Sequence, residues 1–154
     1  SGNLVCVNDW VNIIPNIGYQ TPVPLPNMPK AVLNVPERGL GDGVWLGTAT
    51  FTPTYAPRGY YFAGQGFQLI EVGTEAELSM PLSLYTPYDE SPTLNENSYR
   101  WFRFDDTTGG WVDTVDSCAT GGSYNRDTRN NTLEAPLCQT GQYALFGSAL
   151  PSIR

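Results

Sequence analysis

The feature that most constrains this chain is a spacing. Apolar residues alternate in short runs, with turn residues (glycine, proline, asparagine or aspartate) closing a run about every 8–12 residues. No window of about eleven residues repeats its apolar positions at the 3.6-residue period of a helix. Sixteen glycines and thirteen prolines supply the punctuation, a density that favours turns over long helices. The pattern is clearest in residues 81–147, PLSLYTPYDESPTLNENSYRWFRFDDTTGGWVDTVDSCATGGSYNRDTRNNTLEAPLCQTGQYALFG. It opens with one strand, continues as a hairpin with a Gly-Gly tip (YRWFRF, DDTTGG, WVDTV), and ends in a strand leading away from Cys138.

Extending this reading along the chain predicts strands over 31–35, 44–54, 78–85, 99–104, 111–115, 132–135 and 138–147. Residues 60–62 and 67–72 are expected to pair as a hairpin around AGQG. Pro81 would place its strand at an edge or a bulge, because proline cannot donate to a ladder. ATGGSYNRDTRNN reads as a long polar loop. The expected fold class is all-β, a β-sandwich of jelly-roll or Ig-like type with about 9–10 short strands, over residues 31–154.

Residues 1–30 differ. VCVNDWVNII is an extended apolar segment, followed by a stretch holding Pro22, Pro24, Pro26 and Pro29. Proline fixes φ and restricts the residue before it, so this part should form an extended N-terminal arm. Val5, Val7, Trp10, Val11, Ile13 and Ile14 need a cover, since burying each such side chain is worth roughly 1.5–3 kcal/mol. That cover is either the arm's own domain or the sheet edge of a neighbouring copy, reached by strand addition.

The formal net charge is −7, with Lys30 the single lysine. Such a surface disfavours nucleic acid and anionic membranes as partners. There is also no run of about eighteen apolar residues to insert in a bilayer. The cysteines are Cys6, Cys118 and Cys138, with no CxxC pair to suggest zinc. Cys118 and Cys138 are placed for a disulfide that would close a loop of about 20 residues and contribute ~3 kcal/mol. Two buried free thiols are the alternative. Cys6 is then an unpaired or intermolecular thiol. Asn130-Asn131-Thr132 offers an N-glycosylation acceptor at Asn130, and with the cysteines it favours an extracellular or cell-surface location.

The chain contains no histidine, which excludes Ser-His-Asp and Cys-His mechanisms and histidine-ligated metals. The adjacent carboxylates Asp89 with Glu90, Asp105 with Asp106, and the nearby pair Asp113 and Asp116 read as turn residues. They are not an acid/base pair facing across a cleft. Asp105 and Asp106 lack the spaced pattern of a calcium loop, so no metal, cofactor or catalytic residue is expected. The nine tyrosines and four tryptophans point to core packing or to a glycan-binding platform. Tyr99 and Trp101 are the platform candidates, because YRWFRF is aromatic at successive positions and one core cannot cover both its faces.

GFQLIEVGTEAELSMPLSLYTPYD, then YRWFRFDDTTGGWV, then NTLEAPLCQTGQYALFG together resemble the ZU5 and GAIN-like β-sandwich domains of extracellular and cell-surface proteins. Pro81, Tyr88, Trp111, Tyr143, Ala144 and Leu145 stand at matching places, over about half the chain. Self-cleaving GAIN-type domains carry a His-Leu-Ser/Thr triplet after the cysteine near the last strand. Here Cys138 is followed by Gln139, Thr140 and Gly141. The general base for that step is missing, so the resemblance implies a member that does not cut itself. The expectation is a secreted structural subunit of a filament, sheath or surface appendage, joined head-to-tail to copies of itself through the arm. The alternative is a carbohydrate-binding or adhesin module of a larger surface protein, with glycans as partners.

Overall fold

The computed structural model describes residues 10–14, 21–25, 28–36, 44–73, 82–118 and 122–151. Eleven strands run through the described residues. They are β1 (Trp10–Ile14), β2 (Thr21–Leu25), β3 (Met28–Val35), β4 (Val44–Thr50), β5 (Tyr61–Gly73) and β6 (Leu82–Pro87). After a short 3-10 turn, Glu96–Ser98, come β7 (Arg100–Asp105), β8 (Gly110–Asp113), β9 (Asn125–Asp127), β10 (Thr132–Leu137) and β11 (Gly141–Gly147). They form a six-stranded sheet in the order β1-β4-β5-β11-β7-β8 and a five-stranded sheet in the order β2-β3-β6-β10-β9. All ladders are antiparallel. The fold is an all-β sandwich.

Strand alternation builds the core. Leu33, Val35, Leu82, Leu84, Leu133, Ala135 and Leu137 project from the five-stranded sheet and meet Leu46, Phe67, Leu69, Trp101, Tyr143 and Leu145 from the six-stranded one. Phe67 stacks on Tyr143 with ring centroids 5.3 Å apart and meets Trp101 edge-on at 5.6 Å. The Cys118–Cys138 disulfide is formed, with Cα atoms 5.3 Å apart, and it ties the loop after β8 to the residue that follows β10.

Four expectations are corrected. Residues 60–62 and 67–72 are not two arms of a hairpin: 61–62 and 67–72 lie in one strand, β5, which pairs with β11 over Tyr61–Leu69, interrupted by an irregularity, and with β4 over Phe67–Gly73. The glycines that suggested a turn absorb an irregularity instead. The ladder shifts between Ala144 and Phe146, and Gly64 takes φ +89 inside the strand. Gly66 is needed for close approach, since a Cβ there would lie 2.6 Å from the Phe51 carbonyl oxygen. β6 is the central strand of its sheet, not an edge; Pro81 precedes it and lies outside the described residues. The loop ATGGSYNRDTRNN contains β9, which pairs with β10 at Leu133 and Glu134. β3 runs across the expected boundary between residues 30 and 31.

The described N-terminal segments pair with strands of their own chain. β1 pairs with β4 and β2 pairs with β3, so the N-terminal segments form an outer strand of each sheet. Pro22 and Pro24 fall on the sheet edge, where missing N–H donors break no second ladder. Val5, Val7 and Cys6 lie outside the described residues.

Candidate ligand-binding cleft

The two faces of the YRWFRF strand are covered separately. Trp101 points into the sandwich, while Phe102 packs on the opposite face with Ala144, Phe146 and Trp111. Residues 51–60 roof that outer face, contributing Phe51, Ala56 and Tyr60. Trp111 holds the roof down: its indole Nε1 donates to the Tyr55 carbonyl at 3.1 Å, and Tyr55 in turn donates from its hydroxyl to the Gly109 carbonyl at 2.7 Å. The platform expected at Tyr99 and Trp101 is therefore corrected. They are 2% and 0% exposed and have no face to offer a glycan. Tyr99 closes the core by packing edge-on against Tyr88, with centroids 4.9 Å apart. Among the described residues the exposed aromatics are Tyr55, Tyr61 and, at the margin, Tyr85 and Phe62.

The carboxylates fall as turn and edge residues. Asp105 accepts from Thr107 N–H at 2.9 Å and Thr108 Oγ1 at 3.2 Å, closing the hairpin turn, and these bonds hold its carboxyl below the usual range. Asp127 does the same for the β9–β10 turn. Asn130 Nδ2 donates to it at 2.8 Å, with Asn130 and Arg129 N–H behind, so its carboxyl is also lowered. Asn130 is exposed on that turn. Among the described residues no group of three or more His, Cys, Asp or Glu gathers as a metal site.

Asp113 is the exception, because it is buried. Arg100 Nη1 donates to its Oδ2 at 2.8 Å, and the Tyr124 hydroxyl donates to its Oδ1 at 2.6 Å. Val115 N–H adds a third bond at 3.1 Å. The Tyr124 hydroxyl also accepts from Trp101 N–H at 3.0 Å. Burial, then the bond to Asp113, pushes the Tyr124 phenol far above its ordinary value, while Asp113 holds the Arg100 guanidinium charged. Arg100 and Arg126 flank the Tyr124 ring at 5.6 and 5.9 Å. Arg126 ties Tyr99 and Glu96 to this edge through their carbonyls, at 2.7 and 2.8 Å. Such a satisfied network fixes how the β9 end seats on β7. It exposes no nucleophile and borders no described cavity.

A cleft of about 290 Å3 opens where β5, β11 and β7 come together, lined by Gln68, Leu69, Ile70, Arg103, Phe104, Asp106, Thr140, Gly141 and Gln142. The ladders explain why these residues converge. Gln142 pairs with Gln68, Gly141 with Leu69, and Tyr143 with Arg103. Gly141 takes φ +144, and a Cβ there would press within 3.3–3.5 Å of the Arg103 side chain, so glycine lets the guanidinium reach the cleft. Arg103 Nη1 donates to the Phe104 carbonyl at 3.3 Å, while its buried Nε has no partner. Phe104 joins the cleft to the roofed aromatic face, meeting Trp111 at 5.4 Å and Tyr55 at 6.0 Å.

Sequence reasoning singled out Thr140 and Gly141 as the residues after Cys138 but placed no site there. The remaining lining residues lie on three strands that meet only through pairing, so no local motif marks them. No protein-family model matches this chain, and no curated protein matches it in sequence.

Proposed function

We propose that this chain is a structural subunit of an extracellular filament, sheath or surface appendage, and that copies join by exchanging their N-terminal strands. The observation that supports it most is the position of β1 and β2. Segments from the first 25 residues occupy an outer edge of both sheets, each bonded through a single neighbour. The ladder positions of β4 and β3 that receive them would receive the same segments from another copy through the same backbone bonds. An exchange that passes from copy to copy without closing gives an open filament. The disulfide supports an oxidising compartment, and the exposed Asn130 acceptor supports a secreted surface. Among the described residues no helix is long and apolar enough to cross a membrane. The reading includes no catalytic role, and its likeness to ZU5- and GAIN-type domains is a proposed likeness of fold.

The test is light scattering and electron microscopy of the full chain beside a chain lacking residues 1–27. Assemblies are expected from the full chain and monomers from the shorter one. A second variant guards against misfolding of the truncation. Asn12→Cys with Thr48→Cys, which are register partners in β1 and β4, locks the arm onto its own domain and is expected to stay monomeric. If both variants assemble as the full chain does, the reading fails.

A further inference from the structure

The cleft between β5, β11 and β7 carries chemistry that strand exchange does not use. Its lining combines two primary amides (Gln68, Gln142), a hydroxyl (Thr140), a guanidinium (Arg103) and a carboxylate (Asp106), with the Phe104 ring as one wall. Arg103 and Asp106 both line the space without forming a salt bridge to each other. Opposite charges on one small cleft disfavour a charged ligand of either sign: a phosphate meets Asp106, and an ammonium meets Arg103. A mixed donor and acceptor lining instead suits a group that both donates and accepts at each position, which is a hydroxyl. The aromatic wall suits the C–H face of a sugar ring. The volume lies at the lower end of the ~300–1,000 Å3 range of ligand pockets, enough for about one ring.

We propose that this cleft binds one pyranose unit of a neutral glycan, with Gln68, Gln142, Asp106 and Arg103 meeting its hydroxyls and Phe104 its ring face. The site lies at the meeting of inner strands of the six-stranded sheet, away from β1, so it stands or falls independently of arm exchange.

Saturation-transfer difference NMR tests it, because that method reads the ligand and works on monomer and assembly alike. The full chain is titrated with cellobiose, mannobiose, galactobiose and N,N'-diacetylchitobiose, with inorganic phosphate as competitor. At least one disaccharide is expected to bind saturably, undisplaced by phosphate. The double variant Gln68→Ala, Gln142→Ala is expected to weaken it at least tenfold at unchanged melting temperature. Three results each overturn the proposal: no disaccharide gives a saturable signal, phosphate displaces the sugar, or the double variant binds as tightly as the parent. Arg103→Gln in place of the double variant gives a second reading, with the same tenfold loss expected, should the amide pair disturb the ladder.

Discussion

The two faces of the six-stranded sheet are built from one sequence run and covered in different ways. On the inner face Trp101, Phe67 and Tyr143 meet a second sheet, whose ladders continue on both sides of the contact. On the outer face Phe102, Phe146 and Trp111 meet a segment without regular structure, residues 51–60, fastened by two side-chain hydrogen bonds. A sheet cannot collapse into a cavity left behind it, whereas a loop can settle. Aromatics at successive positions in a strand therefore imply two covers, and the covers differ in how firmly they resist change.

Large-to-small substitutions on each face should reveal the largest difference. Trp101→Ala is expected to destabilise by about 3–5 kcal/mol, as for other buried Trp truncations. Phe102→Ala, under the loop, is expected to cost about 2–3 kcal/mol because residues 51–60 can follow the vacated volume. Urea unfolding of both proteins checks the order. Equal losses would mean that the roof is as rigid as the opposing sheet, and the contrast drawn here would be lost.

Gly66→Ala breaks the outer cover selectively. The new methyl collides with the Phe51 carbonyl oxygen and approaches that of Tyr143 at 3.2 Å. Overpacking of this kind costs about 1–3 kcal/mol, and the yielding partner should be the loop. Cleavage within residues 51–60 by a dilute protease should accelerate, while Trp101 and its neighbours keep their near-UV signal.

How much of this contrast was legible in the sequence depends on whether the cause was local. YRWFRF showed that one core would not suffice, and Cys118 with Cys138 showed a bridge, because both patterns lie in short stretches. The roof was not legible, since nothing in FTPTYAPRGY tells that it folds over Phe102 and not into solvent. AGQG was misread for a related reason. Glycine marks both turns and bulges, and only the partner strand, β11, decides between them. β9 was missed because Asn125, Arg126 and Asp127 have weak strand propensity; pairing with β10 and the bonds of Arg126 to Glu96 and Tyr99 hold it there. The cleft was invisible because Gln68, Arg103 and Gln142 converge only through register.

Where the two sheets meet, buried phenols make the closure sensitive to alkali. Burial, followed by the bond to Glu96, pushes Tyr88 up to about 12, and burial raises Tyr124 and Tyr143 further. Each folded value lies above the unfolded tyrosine value of about 10. The associated stability is thus complete below pH ~10 and falls as pH rises towards and past 12. Tyr88 has the least raised of these three values and should set the first part of that fall. Urea unfolding measured between neutral and strongly alkaline pH is expected to show the loss, and Tyr88→Phe to flatten its first part. A curve unchanged by Tyr88→Phe would place the sensitivity elsewhere.

The smallest effect should run in the opposite direction. Thr48 on β4 and Thr86 on β6 are fully buried, and neither hydroxyl has a partner. Thr48 sits opposite Leu69, and Thr86 opposite Leu133, both core leucines. An unpaired buried hydroxyl costs about 1–3 kcal/mol, and valine keeps the β-branched shape while removing it. Thr48→Val and Thr86→Val are each expected to stabilise the protein by about 1 kcal/mol, readable as a higher urea midpoint with unchanged slope. The sites lie on different sheets, so the two gains should add. If either valine instead destabilises, its hydroxyl has an acceptor after all, and the inner face is held partly by hydrogen bonding rather than by apolar contact between the sheets.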